Sequence, residues 1–304
     1  MTTSAFVSTP LALLFAAFIA QPSVAHSQTP AAGAAPATAS TATPAAQTGS
    51  DDDDAKLDPV EPDFVVINLP TTLRLPVHAG NFHLSHRFEG NLRDGSFTDQ
   101  LSNFFGVDVG AAISLEYRFG IMRHLEAIVS RANRSRAIEF SAKYDGWHQS
   151  ATLPVSLSGI VSIEGDNNFG ANSGTAPKNY APALGVVISR EIGSQLALYA
   201  TPFWVGHTGT NINADGNTGF LGLGARVRLG AASSTYVSGE VSPRIGGFVI
   251  GDPEYGFAIE KRVGAHVFAL TFTNGTSNTT YRQIARGGAP GHLHLGFNLT
   301  RKFF

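Results

Sequence analysis

The sequence contains no cysteine. That excludes disulfides, thiolate metal sites, cysteine nucleophiles and acylation at an N-terminal cysteine. It leaves export open, because large exported domains fold without disulfides. Charge is also scarce. Asp, Glu, Lys and Arg make up 14% of the 304 residues, against about 25% in an average soluble protein. The formal net charge of -2 argues against a nucleic-acid partner held by neutralised phosphates. The chain lacks a Gly-x-Ser-x-Gly elbow with a partner, a His-Glu-x-x-His pair and a phosphate-cradling loop. What is abundant is apolar and small: 43% hydrophobic residues, 33 Gly, and 21 Phe against 7 Tyr. That composition suits β-structure with little charged exterior.

The chain opens with an apolar stretch, Leu11 to Ala20, of ten residues. A spanning helix needs about 20, so this length fits the core of a signal peptide instead. Ser23 and Ala25 supply small residues at -3 and -1, which places cleavage after Ala25. No Lys or Arg precedes the stretch, a departure from the usual pattern. Residues 26–63 are read as a disordered linker. They are dominated by Ala, Pro and Thr, then by acidic residues, and cannot bury enough apolar surface to offset ordering entropy. The run Asp51 to Asp54 lacks the spacing and turn glycine of a calcium loop and reads as a solvated spacer. Order is expected from about Phe64.

From residue 81 onward the apolar period is two, the mark of strands with unlike faces. In 112–119, Ile113, Leu115, Tyr117 and Phe119 alternate with Ser114, Glu116 and Arg118. In 221–229, Leu221, Leu223, Ala225, Val227 and Leu229 alternate with Gly222, Gly224, Arg226 and Arg228. Segments 138–145, 153–164, 236–245, 255–263 and 293–300 repeat the pattern, and 81–89, 124–132, 183–191, 196–206 and 266–274 carry it more weakly. Twelve strands of about 9–12 residues suit tilted crossings of a bilayer. Long and short connections alternate, apart from a tight one near Arg134, as in outer-membrane barrels. The fold class is therefore all-β: an antiparallel transmembrane β-barrel of about twelve strands, residues 64–304, behind a signal peptide (1–25) and a linker (26–63).

Alternation alone does not say which face meets lipid. The apolar faces carry bulky side chains, whereas the polar faces are rich in Gly, Ser and Ala, which suits a confined interior. Charges on the polar faces balance. Arg87, Arg118, Lys143, Arg226, Arg228, Arg244, Arg262 and Lys302 stand against Glu89, Glu116, Glu126, Glu139, Asp145, Glu164, Glu240 and Glu260. A lumen can pair such charges, as buried charges require. The expected lumen-lining charges are Arg87, Glu116, Arg118, Glu139, Lys143, Arg226, Arg228, Glu240, Arg244, Glu260 and Arg262. Phe88, Phe119, Tyr144, Trp147, Trp204, Phe220 and Tyr255, near strand ends, fit interface girdles.

Chemistry-bearing residues are few. Asn81, His83 and Ser85 share a strand face, but a hydrolase needs Ser, His and a third group within hydrogen-bond reach, and a polar lining is the favoured reading. His292 and His294 also share a face, yet two histidines alone are weak evidence for a metal. Asn274-Gly275-Thr276 and Asn278-Thr279-Thr280 match glycosylation sequons and read as polar external loop. No catalytic, cofactor or metal residue is assigned, and no enzyme activity is expected.

Short stretches carry a family resemblance: Leu69-Pro70-Thr71, His86-Arg87-Phe88, Phe105-Gly106-Val107-Asp108 before Ser114-Leu115-Glu116-Tyr117, Leu125-Glu126, Ser130-Arg131, Ala142-Lys143-Tyr144 and Leu153-Pro154-Val155-Ser156. The region from Leu69 to Phe304 resembles a bacterial family of β-barrel proteins known only as a domain of unknown function. The resemblance implies an outer-membrane barrel and carries no catalytic residues over. The terminal strand, ending in Phe303-Phe304, resembles the signal read by the barrel assembly machinery. The expected location is the bacterial outer membrane with the linker in the periplasm, and the expected partners are outer-membrane lipid and that machinery. The leading expectation for function is a channel or transporter for a small solute. The alternatives are a sealed structural or partner-binding barrel and an outer-membrane lipid hydrolase. Pore radius stays open, because loops 90–109 and 165–181 are free to fold inward.

Overall fold

The computed structural model describes residues 60–170, 179–209, 216–249, 251–276 and 280–304, without the side chain of residue 168. The expected signal peptide, residues 26–59 of the expected linker, and parts of the 165–181 loop and of the second sequon lie outside the described residues.

Thirteen strand segments form one antiparallel sheet that closes on itself. They are β1 (Gly80–Asn91), β2 (Ala111–Met122), β3 (Leu125–Ala132), β4 (Ile138–Trp147), β5 (Ser156–Gly165), β6 (Tyr180–Ile192), β7 (Leu196–Val205), β8 (Thr218–Arg228), β9 (Thr235–Ser242), β10 (Arg244–Gly247), β11 (Glu254–Val263), β12 (His266–Thr273) and β13 (His294–Phe303). β9 and β10 both pair with β8 and are two parts of one crossing, interrupted at Pro243. Proline brings no amide hydrogen to a ladder, so the pairing breaks there and the register shifts between Arg244 and Gly246. The barrel therefore has twelve crossings. β1 meets β13, with Gly80 opposite Phe303. Each neighbour pairs with the next, and full closure removes the exposed edges that invite aggregation.

The strands fall within three residues of the segments that the period-two pattern marks, and one late start is instructive. The 153–164 segment starts its ladder only at Ser156. Pro154 has no amide hydrogen to give, and Ser156 Oγ instead accepts from the Gln149 amide at 2.9 Å, holding 148–155 as a connection. The turns at 123–124, 193–195, 229–234 and 264–265 share one end with 148–155 and both termini of the barrel, here the turn end. The opposite, loop end carries the long connections.

The faces divide as expected. Leu223 is 42% exposed, whereas Arg226, three residues on, is 0% exposed. Leu115, Tyr117, Phe119, Phe140, Tyr144, Trp147 and Trp204 all project outward. Phe220 does not belong with them. It is fully buried inside the barrel and stacks on Phe203 with ring centroids 5.3 Å apart. Its register puts it on the Gly222 and Arg226 face, so parity overrides its aromatic character.

Two short helices lie in loop-end connections. α1 (Phe97–Ser102) starts at a capping box in which the Ser96 side chain and the Asp99 backbone and carboxylate satisfy one another. The hydrogen bonds from Ser96 hold the Asp99 carboxyl below its ordinary range. α2 (Tyr281–Arg286) begins at Thr280, whose side chain accepts from the Gln283 amide. Among the described residues, α2 turns into the barrel, with Tyr281, Arg282, Ile284 and Ala285 buried. α1, in the connection foreseen as a possible inward fold, leaves Phe97 and Leu101 exposed.

Candidate functional site: a lumen filled from both ends

The residues ahead of β1 run through the bore. Between Ala20 and β1 the bulkiest apolar run is Phe64-Val65-Val66-Ile67, and such a run is costly to leave in water. It folds back on Leu69-Pro70-Thr71 as a tight hairpin. Val66 N donates to Leu69 O at 2.8 Å, Thr71 N to Phe64 O at 2.9 Å, and Val65 bridges Pro70. Every residue from Val60 to Thr72 is buried. Of the expected linker, residues 60–63 are described, and they lie among lumen side chains.

The wall holds the hairpin at three heights. Near the turn end, the Phe64 ring faces three cations: Arg118 at 5.5 Å, Lys143 at 5.9 Å and Lys302 at 5.4 Å from its centroid. Arg118 also pairs with Glu116 at 2.6 Å and Glu126 at 3.1 Å, and Lys143 with Asp145 at 3.3 Å. Lys143 Nζ donates to Leu73 O at 2.6 Å. Somewhat higher, Thr300 donates to Asp63 at 2.7 Å and takes the His83 Nδ1 contact at 2.8 Å. The hairpin tip sits at mid-height. There the Glu240 carboxylate accepts three consecutive amides, from Ile67 at 3.0 Å, Asn68 at 2.9 Å and Leu69 at 3.1 Å. Arg226 donates to Val65 O at 2.7 Å and pairs with Glu260 at 3.1 Å. The Asn68 side chain bridges opposite charges, donating to Glu254 at 2.9 Å and accepting from Arg87 at 3.0 Å.

Small wall residues make the room. A Cβ at Gly222 would sit 2.6 Å from Leu69 Cδ2 and would also run into Thr201 Oγ1. A Cβ at Gly224 would meet Val66 Cγ2 at 3.4 Å, an ordinary contact. Gly222 on the inner face of β8 thus makes the seat for the tip.

Above the tip, α2 packs against the inner wall from the loop end. Tyr281 stacks on Phe203 at 4.4 Å, and its amide donates to Glu139 at 3.3 Å. Arg282 is buried against Asp166 at 2.7 Å and Glu164 at 3.7 Å. Ile284 joins the apolar cluster of Ile67, Leu69, Ile160, Val187, Tyr199, Phe203 and Phe220. A further cavity of about 470 Å³ opens at the loop end, lined by Glu89, Arg134, Gln283, Arg286, His292 and His294 among others.

Of the expected lumen charges, Arg87, Arg118, Glu139, Lys143, Arg226, Arg228, Glu240 and Glu260 are buried, and Glu116, Arg244 and Arg262 are half-buried. Arg87, Arg118, Lys143, Arg226 and Glu240 touch the hairpin directly, and Glu116 and Glu260 pair with the arginines that do. Glu139 touches α2 instead. Arg228 donates to Ser233 O at 2.6 Å and Arg244 to Gly251 O at 2.6 Å, both toward connections rather than the bore. Arg262 is half-buried near the turn end. Pattern reading missed Glu61, Asp63, Asn68, Glu254 and Arg282. Glu254 was within reach, because it shares parity with Ala258 and Glu260. Arg282 follows no strand period and gives no signal.

His83 and Ser85 are both buried on the inner face, as is Asn81. His83 engages Thr300, and Ser85 Oγ has no hydrogen-bond partner among the described residues. The pair is therefore not arranged as base and nucleophile. No group of three metal-ligating side chains gathers among the described residues, and His292 and His294 stand 5.5 Å apart, ring to ring.

A closed antiparallel sheet with apolar side chains outward and charges inward defines a membrane-spanning β-barrel. The sequence agrees: the family described as membrane bound beta barrel domain (DUF5777) matches residues 63–303, and the chain belongs to it. No curated protein matches in sequence. Among solved structures, a KdgM porin in complex with disordered oligogalacturonate is 9% identical, covering 75% of this chain and 100% of its own, with a TM-score of 0.44. An outer membrane channel from Pseudomonas putida F1 is 9% identical, covering 76% and 97%, with a TM-score of 0.44. Likeness at that level assigns no function.

Proposed function

We propose that the protein is an outer-membrane channel or transporter for a small solute, closed at rest by its own N-terminal hairpin. The observation that supports this reading is the polar character of the contact between hairpin and wall. A bore that only had to be sealed is served as well by apolar packing, since replacing buried ion pairs with apolar side chains is often neutral or stabilising. Arg87, Arg118, Lys143, Arg226, Glu240 and Glu260 instead stay on the wall, so withdrawal of the hairpin leaves a charged, wettable bore. In this reading the turn end faces the periplasm and the linker lies there, because outer-membrane barrels keep their short turns on that side. Outer-membrane lipid covers the apolar belt, and the assembly machinery engages β13. In this reading the protein is not an enzyme.

A sealed structural barrel is the second reading, and the apolar cluster joining Ile67 and Leu69 to Phe203 and Ile284 favours it. Planar-bilayer recording separates the two. The intact protein is expected to be silent or to open rarely. A barrel lacking residues 60–75, verified as folded by heat-modifiable migration, is expected to give steady ohmic steps. Silence from that folded barrel would establish the sealed reading. Lipid turnover abolished by Ser85→Ala would instead establish the hydrolase.

A further inference from the structure

The loop-end cavity, outside the hairpin's contacts, has the chemistry of a receiving site. We propose that it binds a small organic anion bearing a carboxylate or phosphate, the first station of the solute on its way into the bore. This rests on the channel reading and names its solute class.

The cavity of about 470 Å³ lies in the range of small-molecule sites and is far too small for a folded partner. A second cavity of about 140 Å³ adjoins it, and Arg134, Gln283 and Arg286 line both. Those three side chains form a donor-rich ridge between the two spaces. Arg286 is held in place by the β7–β8 connection. Its Nε donates to Thr208 O at 3.0 Å and its Nη2 to Gly209 O at 2.9 Å. With the guanidinium plane fixed, Nη1 is left with no acceptor among the described residues. Arg134 has one carboxylate partner, Glu89, at 2.5 Å, and both are partly exposed. Glu89 is the only carboxylate lining either cavity among the described residues. It holds the place that a ligand carboxylate or phosphate would take on Arg134, which suits a guanidinium fork for bidentate recognition. His292 and His294 complete the lining, and His294 Nδ1 is tied to Gly90 O at 3.1 Å.

The test is calorimetric titration of the purified full-length chain in detergent with glucose 6-phosphate, citrate and glucose. Both anions are expected to bind and glucose not. Affinity should weaken with added salt. Arg286→Gln should weaken anion binding at least tenfold. Glu89→Gln, a conservative change at a partly exposed position, should strengthen it severalfold by releasing Arg134. A merely structural Glu89 would give unchanged or weaker binding. Equal affinity for glucose, no binding of either anion, or a Glu89→Gln protein that binds no better overturns the proposal. The two readings fail separately. Anion binding by a barrel silent even without residues 60–75 overturns the channel and leaves the site. A conducting barrel that binds neither anion overturns the site alone.

Discussion

Glu240 holds a stretch of backbone rather than a side chain. Its two oxygens take the amides of Ile67, Asn68 and Leu69, three donors that any sequence at the tip would offer. Glutamine at this position keeps the shape but supplies one acceptor oxygen and brings two donors, leaving tip amides unmatched. Losing hydrogen bonds to a buried charged group costs about 1–3 kcal/mol. Glu240→Gln should therefore release the tip without unfolding the wall. The measurement is thiol labelling at Asn68→Cys, in a chain with no native cysteine to interfere. A water-soluble maleimide is expected to react roughly ten- to a hundredfold faster in the Glu240→Gln background, each tenfold standing for about 1.4 kcal/mol. An unchanged rate would show that Glu240 does not latch the hairpin. Glu240 itself was legible in the sequence as an inward charge, from its parity with Tyr236 and Ser238. Its partners were not. Backbone amides 171 to 173 residues away leave no mark in a periodicity.

Strands and hairpin were legible to different degrees for one physical reason. A transmembrane strand must present an apolar face to lipid at every second residue, so β2, β8 and β13 announce themselves locally. The hairpin answers only to the cavity that receives it. Phe64 to Ile67 is apolar throughout, and nothing in four residues says whether such a run enters a bore or starts a strand. The complementary signal lay on β8, where Gly222 and Gly224 replace side chains on the inner face. Restoring bulk at that seat gives an element-level prediction. Gly222→Val places methyl groups where Leu69 lies, and the barrel is expected to stay folded while the Asn68→Cys thiol becomes reactive. Continued protection would mean that the hairpin reaches another seat. The faces of the same strand are open to a direct check. A lipid-phase photolabel should reach cysteine at position 223 and miss it at 224, and Leu223→Arg should cost roughly 2–4 kcal/mol if it lies near the midplane. Labelling at 224 alone would invert the barrel's orientation.

At the scale of the whole molecule, closure joins the first crossing to the last. β1 pairs with β13 across eight consecutive partners from Gly80–Phe303 to Arg87–Gly296, so neither wall nor bore is complete until the final strand is in place. Deleting Phe303 and Phe304 removes the partner of Gly80 and the proposed assembly signal together. The heat-modifiable fraction recovered from membranes is expected to fall, and undiminished recovery would count against both roles. The hairpin's path has a mechanical side as well. Its described arms run side by side from the tip toward the turn end. Tension on the chain ahead of Val60 would load the Phe64–Thr71 and Val66–Leu69 bonds one after another, as a zip is opened. The interstrand ladders of the wall are loaded side by side and resist together. A modest pull from the turn side would thus draw the stopper and leave its bottle intact.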